Sequence, residues 1–261
     1  MKKLSTGLEV DQRDGLDPVV FCMHGIGGNT ASFEPQLRFF SGKQAVIAWN
    51  MPGYGGSEPL EAMSFESLAR CAVDALDELG LEKAVFVGQS IGGMVALELA
   101  ARYPARVQAL VLIGTTPSFG GRDEAFKQQF LKARLAPLDA GATLPSLAVD
   151  FVPQIVGSTA SAEVVAAATQ SMSEVSAAAY RATIECLVTF NRRADLTNID
   201  APCLLISGGE DRNAPARTMQ KMADKLPNAR YHCIEEAGHL INLEAAPQCN
   251  ALIESFIGEL V

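Results

Sequence analysis

The sequence predicts an α/β fold, a mostly parallel, doubly wound sheet with one helical block inserted between its strands. Three observations carry that expectation. Continuous apolar runs of strand length alternate with helical patterns over residues 19–113 and again over 201–260, the signature of a parallel sheet covered on both faces. Between residues 116 and about 200 no convincing buried strand occurs, and that gap is too long for a plain crossover. Residues 83–101, KAVFVGQSIGGMVALELAA, join a short apolar strand to an amphipathic helix through a glycine turn.

Residues 4–10 are expected as an edge strand, with 11–17 as a polar turn. The apolar run 19–23 is a buried strand ending in the glycine loop His24-Gly25-Ile26-Gly27-Gly28. Residues 31–40 read as a helix, 44–49 as a second buried strand, and 50–57 as a rigid turn-rich loop. Ser64 opens a helix of apolar spacing three and four through Leu79, and Gly80 caps it. The strand 84–87, the helix from Ile91 and the strand 107–113 follow. Four alanine-rich helices are then expected over 123–135, 142–151, 160–172 and 173–190. The α/β pattern resumes with a strand at 201–207, a helix at 215–226, a strand at 229–234 and a closing helix at 247–260. The division that results is a core of 1–116 and 201–261, with 117–200 as a helical cap.

Composition narrows the function classes. With 261 residues, 48% of them hydrophobic, the chain can bury one large core. A net charge of −9 argues against nucleic-acid partners and against anionic membrane surfaces. No run reaches transmembrane length, and no apolar segment follows Lys2 and Lys3, so neither a membrane span nor a signal peptide is expected. Six scattered cysteines without a CxxC pair are expected as free thiols in a reducing cytoplasm. Three histidines without ligand spacing give no reason to expect a metal, and nothing calls for a cofactor.

Gly88-Gln89-Ser90-Ile91-Gly92 fits G-x-S-x-G, the nucleophile elbow. A serine in a sharp strand-to-helix turn leaves no room for bulk two residues to either side. A glycine-rich turn with a bystander serine would contain the same five residues, so the rest of the chain must decide. A serine hydroxyl is a poor nucleophile and needs a base, oriented by a third group. Ser90, Asp211 and His239 occur in that order, each just beyond the C-terminal end of an expected parallel strand, where open α/β sheets bind ligands.

Five stretches carry a family resemblance: HGIGG at 24–28, MPGYGGS at 51–57, GQSIGG at 88–93, GGEDRNAP at 208–215 and AGHLINLEAAP at 237–247. In this order and spacing the chain resembles the α/β-hydrolase superfamily, in its capped esterase, enol-lactonase and carbon–carbon hydrolase branch, over almost its full length. The resemblance implies an α/β-hydrolase fold with Ser90 as nucleophile, His239 as base and Asp211 as orienting acid. Asp211 fits the family's G-x-x-D-x-x-x-P, which leaves Glu210 one position off; Glu235 and Glu236 are expected in solvent. An oxyanion needs two donors held in advance, each worth roughly 3–4 kcal/mol. The backbone N–H of Ile91 is the first candidate, and the resemblance supplies Ile26 as the second. His24 is expected to hold its loop by hydrogen bonds, and His232 to have no role in the chemistry.

The chain departs from the family's usual pattern at two places. Asn50 stands where relatives carry Asp in a loop-building role, and Leu240 follows the histidine where carbon–carbon hydrolases carry Trp. The reading is therefore a serine hydrolase of a small carboxylic ester or lactone, acting through an acyl-serine. A carbon–carbon hydrolase of a ring-cleavage product is the alternative, and a non-catalytic small-molecule receptor is the rival from another class. A homo-oligomer is left open. Arg122, Lys127, Arg192 and Arg193 could meet a substrate carboxylate, although solvated helix faces and a salt-bridged linker explain each better. Phe33, Met94 and Phe119 could line an apolar pocket or simply pack. The cap is expected to roof Ser90 and select the acyl group.

Overall fold

The computed structural model describes residues 1–119 and 123–260. Eight strands form one sheet: β1 (Lys2–Lys3), β2 (Glu9–Arg13), β3 (Leu16–Met23), β4 (Gln44–Trp49), β5 (Ala84–Gln89), β6 (Val107–Ile113), β7 (Cys203–Gly208) and β8 (Ala229–Ile234). Their order is β1-β2-β4-β3-β5-β6-β7-β8. The first two pairings, β1 with β2 and β2 with β4, are antiparallel, and all the others are parallel. The sheet is thus mostly parallel and doubly wound, as the alternating pattern requires.

Helices α1 (Glu34–Phe40), α2 (Phe65–Glu78), α3 (Ile91–Arg102), α8 (Ala216–Ala223), α9 (Ile241–Glu244) and α10 (Ala246–Gly258) belong to this α/β unit. Strands β3 to β7 are nearly all buried because helices cover both sheet faces, giving two separate apolar clusters. On one side Trp49, Phe21 and Phe86 pack with α2 and α3; on the other Phe40, Leu37 and Ile253 pack α1 and α10.

The expected edge strand at 4–10 is corrected. Only Lys2–Lys3 and Glu9–Arg13 pair, and Leu4 to Leu8 form the turn between them, closed by the Leu4 N–H to Leu8 carbonyl bond at 2.8 Å. Of the residues read as a turn, 11–13 lie on β2, paired with β4, and 16–17 open β3, which leaves only Asp14 and Gly15 between the strands.

Four helices lie between β6 and β7: α4 (Glu124–Asp139), α5 (Leu144–Ile155), α6 (Ala162–Ser173) and α7 (Ala177–Leu187). The run expected as one helix from 173 to 190 starts instead at Ala177, where the Ser176 side chain accepts the Ala179 N–H. Entry to and exit from this insertion run side by side. The Phe119 N–H donates to the Phe190 carbonyl at 3.0 Å, and the Arg192 N–H to the Pro117 carbonyl at 2.8 Å. Arg192 then reaches α3 and grips buried Glu98 with two donors at 2.6 Å, while Arg102 pairs with the same carboxylate. No helix of the described residues is long and apolar enough to cross a membrane.

Candidate active site

Ser90 sits between β5 and α3 with φ 55° and ψ −119°, the single non-glycine residue with positive φ among the described residues. That strained turn is held from three sides. The Ser90 N–H extends the β5–β6 pairing to the Ile113 carbonyl at 2.9 Å, and Thr115 Oγ1 donates to the Ser90 carbonyl at 2.7 Å. Gly92 lets α3 approach the end of β3 so closely that a Cβ there would run into the Met23 carbonyl.

His239, on the loop after β8, places Nε2 at 3.0 Å from Ser90 Oγ and Nδ1 at 2.8 Å from Asp211 Oδ2. Asp211, on the loop after β7, is buried, and its Oδ1 accepts the Asn213 and Ala214 N–H groups at 2.7 and 3.0 Å. Burial alone would raise its pKa, but the hydrogen bond and charge of His239 and those two backbone donors outweigh it and hold the carboxyl below its usual value. An ionised Asp211 accepts from Nδ1–H, which leaves Nε2 as an acceptor for the serine hydroxyl. The three residues read from sequence therefore meet in space. Neighbouring Glu210 points elsewhere, its carboxylate taking the Ser158 N–H and Oγ–H at 2.7 Å. Glu235, Glu236 and His232 are exposed.

Ile91 is the first residue of α3, so its N–H has no carbonyl four residues back to bond. Ile26, on the loop after β3, lines the same cavity as Ser90 and His239. That loop is tied down by His24, whose Nε2 accepts the Met51 N–H at 3.0 Å, so that Nδ1–H donates to the Gly25 carbonyl at 2.8 Å. Asn50 completes the same corner. Its amide oxygen accepts the Thr30 N–H at 2.9 Å and its amide nitrogen donates to Glu9 at 2.6 Å, a pairing an aspartate could not make beside a second carboxylate.

Two groups that the sequence reading passed over position His239. Gln89 donates to the His239 carbonyl at 2.8 Å. Glu244 accepts the Gly238 and Leu240 N–H groups on either side of the histidine, both at 2.8 Å, and the Gly157 N–H of the insertion at 2.6 Å. The His239 N–H itself donates to the carbonyl of Ile155, the last residue of α5, at 2.7 Å. The only signal for Glu244 was its place in AGHLINLEAAP.

A cavity of about 300 Å³ opens over Ser90 between the sheet loops and the insertion. Met94 and Phe119 line it as the sequence suggested, joined by Phe126, Phe130, Phe151 and Tyr180; Phe33 instead borders a much smaller pocket behind the Ile26 loop. Of the four cationic candidates, Arg192 is spent on Glu98, Arg193 donates to Ser118 Oγ at 2.9 Å, and Lys127 lies 3.6 Å from Glu124. Arg122 lies outside the described residues. Among the described residues the cavity's cations are Arg134 and Arg212, neither of them singled out by spacing. Among the described residues no three His, Cys, Asp or Glu side chains converge as a metal ion requires.

Residues 18–246 match the family described as the alpha/beta hydrolase fold. The chain is 29% identical over 92% of its length to a pimeloyl-[acyl-carrier protein] methyl ester esterase of Aromatoleum aromaticum, covering 98% of that protein. It is also 29% identical, over 94% of its length, to the dihydrolipoyllysine-residue acetyltransferase component of the acetoin cleaving system of Pseudomonas putida, of which it spans 64%. The crystal structure of the enol-lactonase from Burkholderia xenovorans LB400 superposes with a TM-score of 0.86 at 22% identity, covering 96% of each chain.

Proposed function

The chain belongs to the α/β-hydrolase family, and from that premise we propose that it is a serine hydrolase of small carboxylic esters or lactones. The observation that carries the reading is the continuous chain from Ser90 Oγ through His239 to Asp211, with contacts of 3.0 and 2.8 Å. In this mechanism His239 Nε2 takes the hydroxyl proton as Ser90 Oγ attacks the carbonyl carbon. The oxyanion that forms is met by the backbone N–H groups of Ile26 and Ile91, the latter at the N-terminal end of α3. Imidazolium then protonates the leaving alcohol, and an acyl-Ser90 remains. His239 next draws a proton from water, which attacks the acyl carbon and releases the acid. Asp211 keeps the imidazole in the required tautomer and stabilises its charged form throughout.

The helical insertion acts as a cap in this scheme, roofing the cavity and selecting the acyl group. Six cysteines, all free, suit a cytoplasmic setting. Leu240 in place of Trp argues against the carbon–carbon alternative. Ser90→Ala should lower hydrolysis of a 4-nitrophenyl ester by about 10⁴-fold or more, and a fluorophosphonate probe should label wild type at Ser90 alone. Undiminished turnover in the variant sinks the assignment. Tight binding of a small ligand by a protein that the probe leaves unlabelled would favour a receptor instead.

A further inference from the structure

We propose that Arg134 forms an anion subsite in the wall of the Ser90 cavity, so that the preferred substrate is an ester or lactone whose acyl part ends in a second, free carboxylate. The inference rests on the serine-hydrolase reading and names the substrate class of that site.

The cavity is apolar and aromatic, and none of the residues lining it is an aspartate or glutamate. Its described lining nevertheless contains two guanidinium groups, Arg134 and Arg212, in a protein whose net charge is −9. No carboxylate of the described residues lies within ion-pair reach of either one, whereas Arg102, Arg181 and Arg192 each hold a carboxylate.

Arg134 is half-buried and stacked inside the aromatic wall, its guanidinium carbon 4.1 Å from the Phe151 ring centre and 5.4 Å from that of Phe130. Both rings line the cavity, as does buried Tyr180. Ring faces offset part of the cost of a half-buried cation, and the Tyr180 hydroxyl lies beside one N–H, but neither offers a two-point acceptor for the fork. A carboxylate does, in the planar two-point geometry that guanidinium favours.

The direction of the substrate follows from proton transfer. The leaving alcohol must depart beside His239, which protonates it, and that side of the cavity carries exposed Arg212 next to Asp211. The acyl chain therefore takes the aromatic wall, where Arg134 meets its far end. An apolar spacer of methylene or aryl groups fills the distance between.

Paired substrates test this on the full chain: the 4-nitrophenyl half-esters of glutaric, adipic and suberic acids, each against the same molecule with its free carboxyl capped as a methyl ester. At the best chain length the anionic member should have at least a tenfold higher kcat/KM, expressed mainly in KM. Arg134→Met, which keeps an apolar chain over Phe130 and Phe151, should collapse that ratio towards one, and Arg134→Lys should restore part of it. Equal rates for the pair in wild type overturn the proposal. So does a ratio that survives Arg134→Met, or one that depends on Arg212→Met instead.

Loss of the parent reading is distinguishable, because neither ester would then turn over and Ser90 would stay unlabelled. Calorimetry of Ser90→Ala decides the subsite in either case. Monomethyl adipate binding at least tenfold tighter than dimethyl adipate, with the difference abolished by adding Arg134→Met, supports it. Equal binding, or no binding of either, overturns it.

Discussion

Helices α3 and α4 are of similar length, yet they are built in opposite ways. In α3 ten of twelve residues are buried, and the helix is pressed onto the sheet through glycine. In α4 a single residue of sixteen, Leu135, is fully buried. The sheet unit encloses α3 on several sides and leaves no room for a Cβ at Gly92 beside Ser90. Helix α4 exposes most of its residues, and its side chains are freer to vary without disturbing the fold. Chemistry sits where variation is costly, and the proposed selectivity sits where it is cheap.

The same substitution should have very different effects in the two regions. Gly92→Ala would drive a methyl group into the Met23 carbonyl, where two core backbones must separate, and should cost more than about 3 kcal/mol in urea unfolding. Gly141→Ala, in the insertion at φ +93° with open space around it, strains only its own backbone and should cost about 1 kcal/mol. Similar losses for the two would remove the distinction between the regions.

A comparable effect should appear with pH. Burial lowers the His24 pKa to about 4 from 6.5, against the smaller opposing effect of its bond to the Gly25 carbonyl. The unfolded chain therefore binds a proton that the folded chain refuses. Stability from this group is complete above about pH 6.5 and is lost as pH falls towards 4, by about 3 kcal/mol at about 1.36 kcal/mol per unit. Asp211, also depressed in the folded state, loses its contribution in the same direction at lower pH. Replacing His24 by Asn should flatten the stability profile between pH 6.5 and 4, and an unchanged slope would reassign it to other groups.

The smallest effect tests the joint between the regions. Glu244→Gln keeps one acceptor oxygen but turns an NH₂ towards backbone donors. A fall in kcat of about tenfold, about 1.4 kcal/mol, with little change in KM is expected if the carboxylate positions His239. A change in KM alone would make Glu244 part of the cap's fit.

Much of this was legible before any coordinate. Buried parallel strands announce themselves as unbroken apolar runs, and strand ends put Ser90, Asp211 and His239 on one rim. The edge was misread because β2 carries Asp11, Gln12 and Arg13, whose polarity suits a turn as well as a strand with one open side. Arg134 was invisible for a different reason. Its meaning comes from Phe151 on the next helix, and no sequence spacing records which cation is left without a carboxylate. Arg192 and Arg193 looked equally eligible until Glu98 and Ser118 accounted for them.

The bond from the His239 amide to the Ile155 carbonyl has a consequence for protein engineering. Swapping lids between relatives assumes that the catalytic machinery ends where the lid begins. Here the boundary runs through the base itself, because Ile155 and Gly157 belong to the inserted segment yet brace the histidine loop, directly and through Glu244. A chimera cut at the sheet strands would import a foreign brace together with a foreign roof. Keeping residues 155–159 with the recipient, and exchanging only what lies on either side, transfers selectivity without transplanting part of the proton relay.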